Sequence, residues 1–279
     1  MQTENRIAAL RERLAAVRAT GGRIALVPTM GALHAGHLAL VDEAVRRADT
    51  VVVSVFVNPL QFGPAEDFTS YPRTLDDDAK ALAGRGASVL FAPSAAEMYR
   101  SGDGVTVMPA ASAANFEGAI RPGHFSGVLT VVAKLFNIVQ PHVAVFGRKD
   151  LQQLSVIRAM VTDLDFPIEI VAVDTVRETD GLALSSRNRY LDESERRSAA
   201  QIRTALLAAK AAFDAGIVAP EKIETAGLEI LAAEQGIHVD YFTVVNESDF
   251  TRPEDARHLN SVVAAARLGR TRLIDNIQL

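Results

Sequence analysis

Two histidines three positions apart, His34 and His37, lie in the run Pro28-Thr29-Met30-Gly31-Ala32-Leu33-His34-Ala35-Gly36-His37. The apolar stretch Ile24-Ala25-Leu26-Val27 precedes this run, and a helix-like pattern through Leu38, Leu40 and Val41 follows it. A buried strand that ends in a glycine-containing turn before a helix brings backbone N–H groups and the positive end of a helix dipole to one spot, which suits a phosphate. Imidazoles there would donate hydrogen bonds to phosphate oxygens, and a side chain titrating near pH ~6.5 is partly cationic beside an anion. Other readings compete. Gly31-x4-Gly36 approaches a P-loop, but His37 and Leu38 stand where that loop needs lysine and a hydroxyl. The dinucleotide fingerprint G-x-G-x-x-G is missing from the turn. Zinc would need ligands beyond the pair, and the chain has neither cysteine nor an HExxH pattern. The plainest reading is two polar residues in an exposed turn.

Alternating elements must position such residues. Strands are expected at Arg23–Val27, Thr50–Val57, Ser88–Phe91, His142–Phe146 and Ile168–Val173, with helices at Gly36–Ala48, Leu75–Arg85, Ser126–Val139 and Asp150–Asp163. This alternation predicts an α/β fold with a Rossmann-like parallel sheet, which takes ligands outside the carboxyl ends of its strands. Polar residues do collect at those ends. Asn58 and Gln61 follow the second strand, held by Pro59 and Gly63, and their amides suit a small polar substrate or a plain turn cap. Gly147-Arg148-Lys149-Asp150 follows a later strand, with Lys149 suited to a phosphate, Asp150 to a helix cap, a hydroxyl or a metal, and Gln153 one turn on. Farther along, Leu184-Ser185-Ser186-Arg187 offers hydroxyls and a guanidinium for a triphosphate, or an ordinary surface loop. The acidic run Asp76-Asp77-Asp78 reads as dipole complementation at a helix start, with Asp77 and Asp78 as the alternative Mg²⁺ ligands.

With 279 residues, 48% of them hydrophobic, the chain can bury one or two cores. A net charge of −5 gives no broad basic surface for nucleic acid. Absence of cysteine excludes disulfides and thiol catalysis. Met1–Thr20 reads as an amphipathic helix studded with Arg and Glu rather than a signal sequence, and no run has the ~20 apolar residues of a membrane span, so a cytoplasmic protein is expected. Beyond Arg177 the pattern changes. A capping box at Asp192–Glu195 opens a long helix to about Ala215, a second helix spans Pro220–Glu234, and strands are expected at Val239–Val245, Ser261–Arg267 and Arg270–Ile277. The predicted division is a nucleotide- and acid-binding domain over 1–176 and a small α+β C-terminal domain over 177–279, read as a lid hinged near Val176–Thr179.

The H-x-G-H spacing resembles the signature of the nucleotidyltransferase superfamily. Together with Val57-Asn58-Pro59-Leu60-Gln61-Phe62, Arg121-Pro122-Gly123-His124-Phe125, Phe146-Gly147-Arg148-Lys149-Asp150 and Ser185-Ser186-Arg187-Asn188, the chain is similar to the pantoate–β-alanine ligase family, five motifs in family order. This resemblance implies ATP and Mg²⁺, pantoate and β-alanine as substrates, a pantoyl-adenylate intermediate, release of AMP and pyrophosphate, and a homodimer. It places Met30, Gly31, His34, Gly36, His37, Gly147, Arg148, Lys149, Asp150, Val176 and Leu184 to Arg187 on ATP, with His37 matching the residue usually described as proton donor. Catalysis would fall to His34, His37, Lys149, Ser185 and Arg187, and the acid to Gln61 and Gln153, with Asn58, Arg121 and His124 on the substrate side. The chain departs from the family at Arg148, where Glu or Gln is common, and at Leu151, where an aromatic is common. Replacing either histidine by alanine is expected to cut adenylation by ~10² or more and leave the fold nearly as stable. Another nucleotidyltransferase and a non-catalytic nucleotide-binding protein are the rival classes.

Overall fold

Short runs rich in valine and isoleucine alternate with amphipathic helices, and in the computed structural model of the chain they build a six-stranded parallel sheet. The structure describes residues 1–64, 66, 68–99, 104–257 and 260–279. In chain order the elements around this sheet are β1 (Gln2–Glu4), α1 (Ile7–Ala19), β2 (Ile24–Thr29), α2 (Ala35–Arg47), β3 (Thr50–Val55), α3 (Leu75–Leu82), β4 (Val89–Phe91), α4 (Ala95–Met98), α5 (Glu117–Ile120), α6 (His124–Val139), β5 (Val143–Gly147), α7 (Leu151–Asp163) and β6 (Glu169–Val173). Strand order is β1-β4-β3-β2-β5-β6, parallel throughout.

The period-two alternation of side chains explains why the strands are apolar on both faces. Ala25, Val27, Val51, Val53, Val143 and Val145 pack with Leu40, Val41 and Ala44 of α2 and Leu82 of α3. Ile24, Leu26 and Val52, of opposite parity, are equally buried, on the side where α6 meets β2 and α1. From β2 the chain moves outward through β3 to β4, then restarts at β5 on the other flank of β2. Such a switch point opens a crevice beyond the strand ends. Thr29 and Gly147 end the two strands that flank it.

One element differs from expectation. The first residues, read as part of a helix, form the edge strand β1 along β4 before α1 begins. Three residues carry too little pattern to betray a strand, and pairing with the β4 edge decides it.

A second unit contains α8 (Glu193–Asp214), α9 (Pro220–Ala233) and the strands β7 (Ile237–Asn246), β8 (Asn260–Leu268) and β9 (Thr271–Gln278), which form a separate antiparallel sheet in that order. The expected capping box starts α8: Glu195 N–H donates to Asp192 Oδ1 at 2.8 Å, and Asp192 N–H to Glu195 Oε2 at 3.1 Å. Ala199, Ile202 and Leu206 of α8 pack with Phe242, Val244, Val262 and Leu273 of the sheet. The two compact units comprise Met1–Gly147 with Val156–Val173, and Arg148–Ser155 with Asp174–Leu279. Arg148–Ser155, expected in the first domain, thus goes with the second, because Asn276 Nδ2 donates to the carbonyls of Arg148 (2.8 Å) and Lys149 (3.0 Å).

Candidate active site

In the first unit the turn after β2 is built residue by residue. Thr29 Oγ1 donates to the Ser54 carbonyl (2.7 Å) and accepts from Gly31 N–H (3.2 Å), which ties the turn to β3. Gly31 has φ +85°, and a Cβ there would press on Asp78 Oδ2 and Val55, both at 2.9 Å. Ala32 also has positive φ, +51°, which costs a residue with a side chain about 1–2 kcal/mol. Asp78 offsets this cost. Its carboxylate accepts Ala32 N–H at 3.1 Å and Leu33 N–H at 2.8 Å, and the residue is 2% exposed.

The latch revises the metal expectation. Asp78 spends its oxygens on the turn, while Asp77 lies three-quarters exposed and pairs with Lys80 at 3.0 Å. Among the described residues no three His, Asp or Glu side chains gather to hold a cation. The sequence signal was the four-residue step from Asp78 to Leu82, which puts the acid on the buried stripe of α3. Asp78→Asn keeps the shape but leaves one N–H facing an amide donor. It is expected to cost ~1–3 kcal/mol, read as a lower urea midpoint.

The turn delivers the histidines to the start of α2. His34 is its N-cap: Nδ1 accepts Gly36 N–H at 3.2 Å, and His37 Nδ1 accepts His34 N–H at 3.3 Å. Because each Nδ1 accepts, each neutral ring carries its proton on Nε2, the tautomer a phosphate needs. The rings lie 4.1 Å apart between centroids.

Next to this turn lies an amide site. Gln61 Nε2 approaches Met30 Sδ at 3.1 Å, and Gln61 Oε1 accepts from Asn58 Nδ2 at 3.1 Å. Asn58 is 1% exposed and also donates to the Gly127 carbonyl at 3.1 Å. Only glycine fits at 127, since a Cβ would fall 2.2 Å from the Leu60 carbonyl oxygen. Asn58, expected on the substrate side, is therefore a support for Gln61. Arg121 and His124 stand behind the same residue. His124 Nδ1–H donates to the Gln61 carbonyl at 2.9 Å, Arg121 Nη1 donates to His124 Nε2 at 3.0 Å, and Arg121 grips Glu66 at 2.6 and 2.8 Å. Burial, aided by the Arg121 charge, lowers the His124 pKa and keeps the ring neutral. Burial opposes the Glu66 carboxylate, yet the Arg121 hydrogen bonds and charge hold its pKa below the ordinary value. Glu66 and Tyr99, whose hydroxyl donates to Asn58 Oδ1 at 2.7 Å, have no local sequence signal.

The remaining expected residues, Gly147 apart, belong to the second unit. Arg148 Nη2 binds Glu247 at 2.6 Å, and Ser261 Oγ donates to the same carboxylate oxygen, so the unusual arginine has its own counter-charge beside Lys149. Lys149, Asp150 and Gln153 lie at the start of α7, with Asp150 exposed. The segment expected to offer hydroxyls and a guanidinium to a triphosphate is braced at several points. Leu184 N–H donates to the Val176 carbonyl at 2.9 Å, and Arg177 bridges to Ala183. Ser185 Oγ caps the short turn at Ser186–Tyr190 by accepting Arg187 N–H. Glu178 joins Arg196 to Asn188, whose Nδ2 also donates to the Ala183 carbonyl.

A parallel sheet with a histidine-capped helix at its switch point defines an α/β protein with a phosphate-binding turn outside the carboxyl ends of its strands. A sequence model of the family Pantoate-beta-alanine ligase matches residues 2–278. A pantothenate synthetase of Acidothermus cellulolyticus is 52% identical over 272 residues, 96% of this chain and 89% of that protein. Among solved structures, a pantothenate synthetase from Thermus thermophilus is 46% identical with a TM-score of 0.94, covering 100% of this chain and 99% of that one. A pantoate-beta-alanine ligase from Francisella tularensis, complexed with beta-gamma ATP and beta-alanine, is 32% identical with a TM-score of 0.81, covering 100% and 97%. The chain belongs to the pantoate-beta-alanine ligase family.

Proposed function

We propose that this protein condenses pantoate with β-alanine at the expense of ATP, through a pantoyl-adenylate, with release of AMP and pyrophosphate. The observation that carries this reading is the contact of Gln61 with Met30, which sets an amide for a small acid beside the histidine turn that suits a phosphate. A carboxylate is a poor acceptor for an amine, so it must first be activated. Pantoate oxygen attacks the α-phosphorus in line, the bond to the bridging oxygen breaks, and pyrophosphate leaves. The β-alanine amine then attacks the acyl carbon, AMP departs, and the amine loses its proton.

His34 and His37 donate Nε2–H to phosphate oxygens that gain charge, Lys149 and the Ser185-Ser186-Arg187 clamp neutralise the polyphosphate, and Gln61 with Gln153 holds the acid. Met30, Gly31, Gly36, Gly147, Asp150, Val176 and Leu184 contact the nucleotide. Mg²⁺ enters as a counter-ion of the triphosphate, in keeping with a cation that retains much of its water. Asp77 and Asp78 do not fit its site, and no step is assigned to it. The resemblance also supports a homodimer and a cytoplasmic location; no helix of the described residues is long and apolar enough to cross a membrane.

Isotope exchange between pyrophosphate and ATP tests the reading. Exchange should require pantoate, and adding β-alanine should yield pantothenate and AMP in equal amounts. Exchange without pantoate would refute the acid assigned, and no exchange at all would favour a binding protein.

A further inference from the structure

We infer that Tyr99 is a positioning residue of the acid site: acting through Asn58, it reinforces the orientation in which the Gln61 amide meets the substrate. The inference rests on the reading that Gln61 holds pantoate. Leu60 N–H donates to Asn58 Oδ1 at 3.3 Å, and the Gly127 carbonyl accepts from Asn58 Nδ2 at 3.1 Å. A backbone N–H only donates and a backbone carbonyl only accepts, so the Asn58 amide has a single orientation. The Gln61 atom 3.1 Å from Asn58 Nδ2 is then the acceptor Oε1, and Nε2 turns toward Met30 Sδ.

Tyr99 strengthens the relay at its outer end. Its hydroxyl donates to Asn58 Oδ1 at 2.7 Å, shorter than the bond from Leu60. The Tyr99 ring rests near Phe56, centroids 6.1 Å apart, and the Lys134 ammonium lies 5.7 Å from its centroid. Burial pushes the Tyr99 hydroxyl pKa upward, which keeps it a donor at any working pH. The substrate group opposite Gln61 must consequently be an acceptor. A carboxylate or hydroxyl oxygen displaces the weakly accepting thioether sulfur of Met30, whereas an ammonium there would face a second donor. Where the group seated there is the hydroxyl, the site selects a hydroxy acid over the matching amino acid.

Steady-state kinetics of Tyr99→Phe, Gln61→Ala and the double variant test this. Loss of one neutral hydrogen bond behind the binding amide should raise KM for pantoate about threefold to tenfold in Tyr99→Phe, while KM for ATP stays nearly constant and the thermal midpoint falls by no more than about 2–4 °C. In the Gln61→Ala background the same change should have no further effect on KM for pantoate, because the relay ends at Gln61. Equal effects of Tyr99→Phe in both backgrounds, equal rises in KM for pantoate and ATP, or no rise at all would overturn the relay. If Gln61→Ala itself leaves KM for pantoate unchanged, the parent reading of Gln61 fails instead.

Discussion

Replacing His34 by asparagine, or His37 by glutamine, is expected to lower pantoate-dependent pyrophosphate exchange by about 10²–10³, the usual loss on removing one pre-placed donor to a charge that grows in the transition state. These variants are more informative than alanine because each histidine has two tasks. His34 Nδ1 caps α2 through Gly36 N–H, and His37 Nδ1 returns a bond to the His34 amide. Alanine would remove cap and donor together, with about 1 kcal/mol lost from the fold as for other caps. The stability of the alanine variants, expected from sequence to be nearly unchanged, is corrected downward by that amount. Asparagine is a good N-cap and glutamine a good third helical residue, so the reciprocal capping bonds survive; asparagine is too short to carry a donor to the Nε2 position, and glutamine leaves a neutral amide where the imidazole can carry charge. The check is a urea midpoint near that of the parent protein alongside the fall in exchange. A variant that keeps full exchange would show that the imidazoles only cap the helix.

Arg177→Met should destabilise the second unit by ~3 kcal/mol, the low end of the range for breaking a buried ion pair by removing one partner. Arg177 grips Asp275 with both terminal nitrogens, at 2.6 and 3.0 Å, and Asp275 is 4% exposed. Methionine would leave a buried carboxylate with Asn276 N–H as one remaining donor. Arg203 softens the loss through its charge: burial and the Arg177 charge lower its pKa, while the Asp275 charge acts to raise it. Functionally, Arg177 bridges to Ala183 and donates to the Gly181 carbonyl, at the base of the loop that carries Leu184 to Arg187. ATP affinity should therefore fall at denaturant concentrations well below the unfolding midpoint. Urea unfolding combined with nucleotide titration checks both effects; an unchanged midpoint would mean that Arg203 replaces Arg177 fully.

Much of the scaffold was legible from local pattern. β2, β3 and β5 are runs of β-branched and small apolar residues ended by Thr29, Val55 and Gly147, and the capping box at Asp192–Glu195 marks the start of α8. These features act within a few residues, where propensity and capping outweigh everything distant. The turn at Met30–His37 was legible for the same reason: its chemistry lies in contiguous residues.

The order of strands and the purpose of the polar residues were decided elsewhere. Nothing near Asp78 says that its carboxylate holds the amides of Ala32 and Leu33, 46 and 45 positions away. Nor does any local sign say that Arg121 and His124 stand behind the Gln61 backbone, or that Arg148 has Glu247 for a counter-ion. A buried charge or amide must be satisfied by whatever partner the fold brings to it, and that partner is set by topology rather than by neighbours in the chain. By itself, then, the sequence determined the types of the reacting groups and the strand ends that carry them. The tertiary structure decided which of those groups are turned toward a substrate and which are spent holding the others in place.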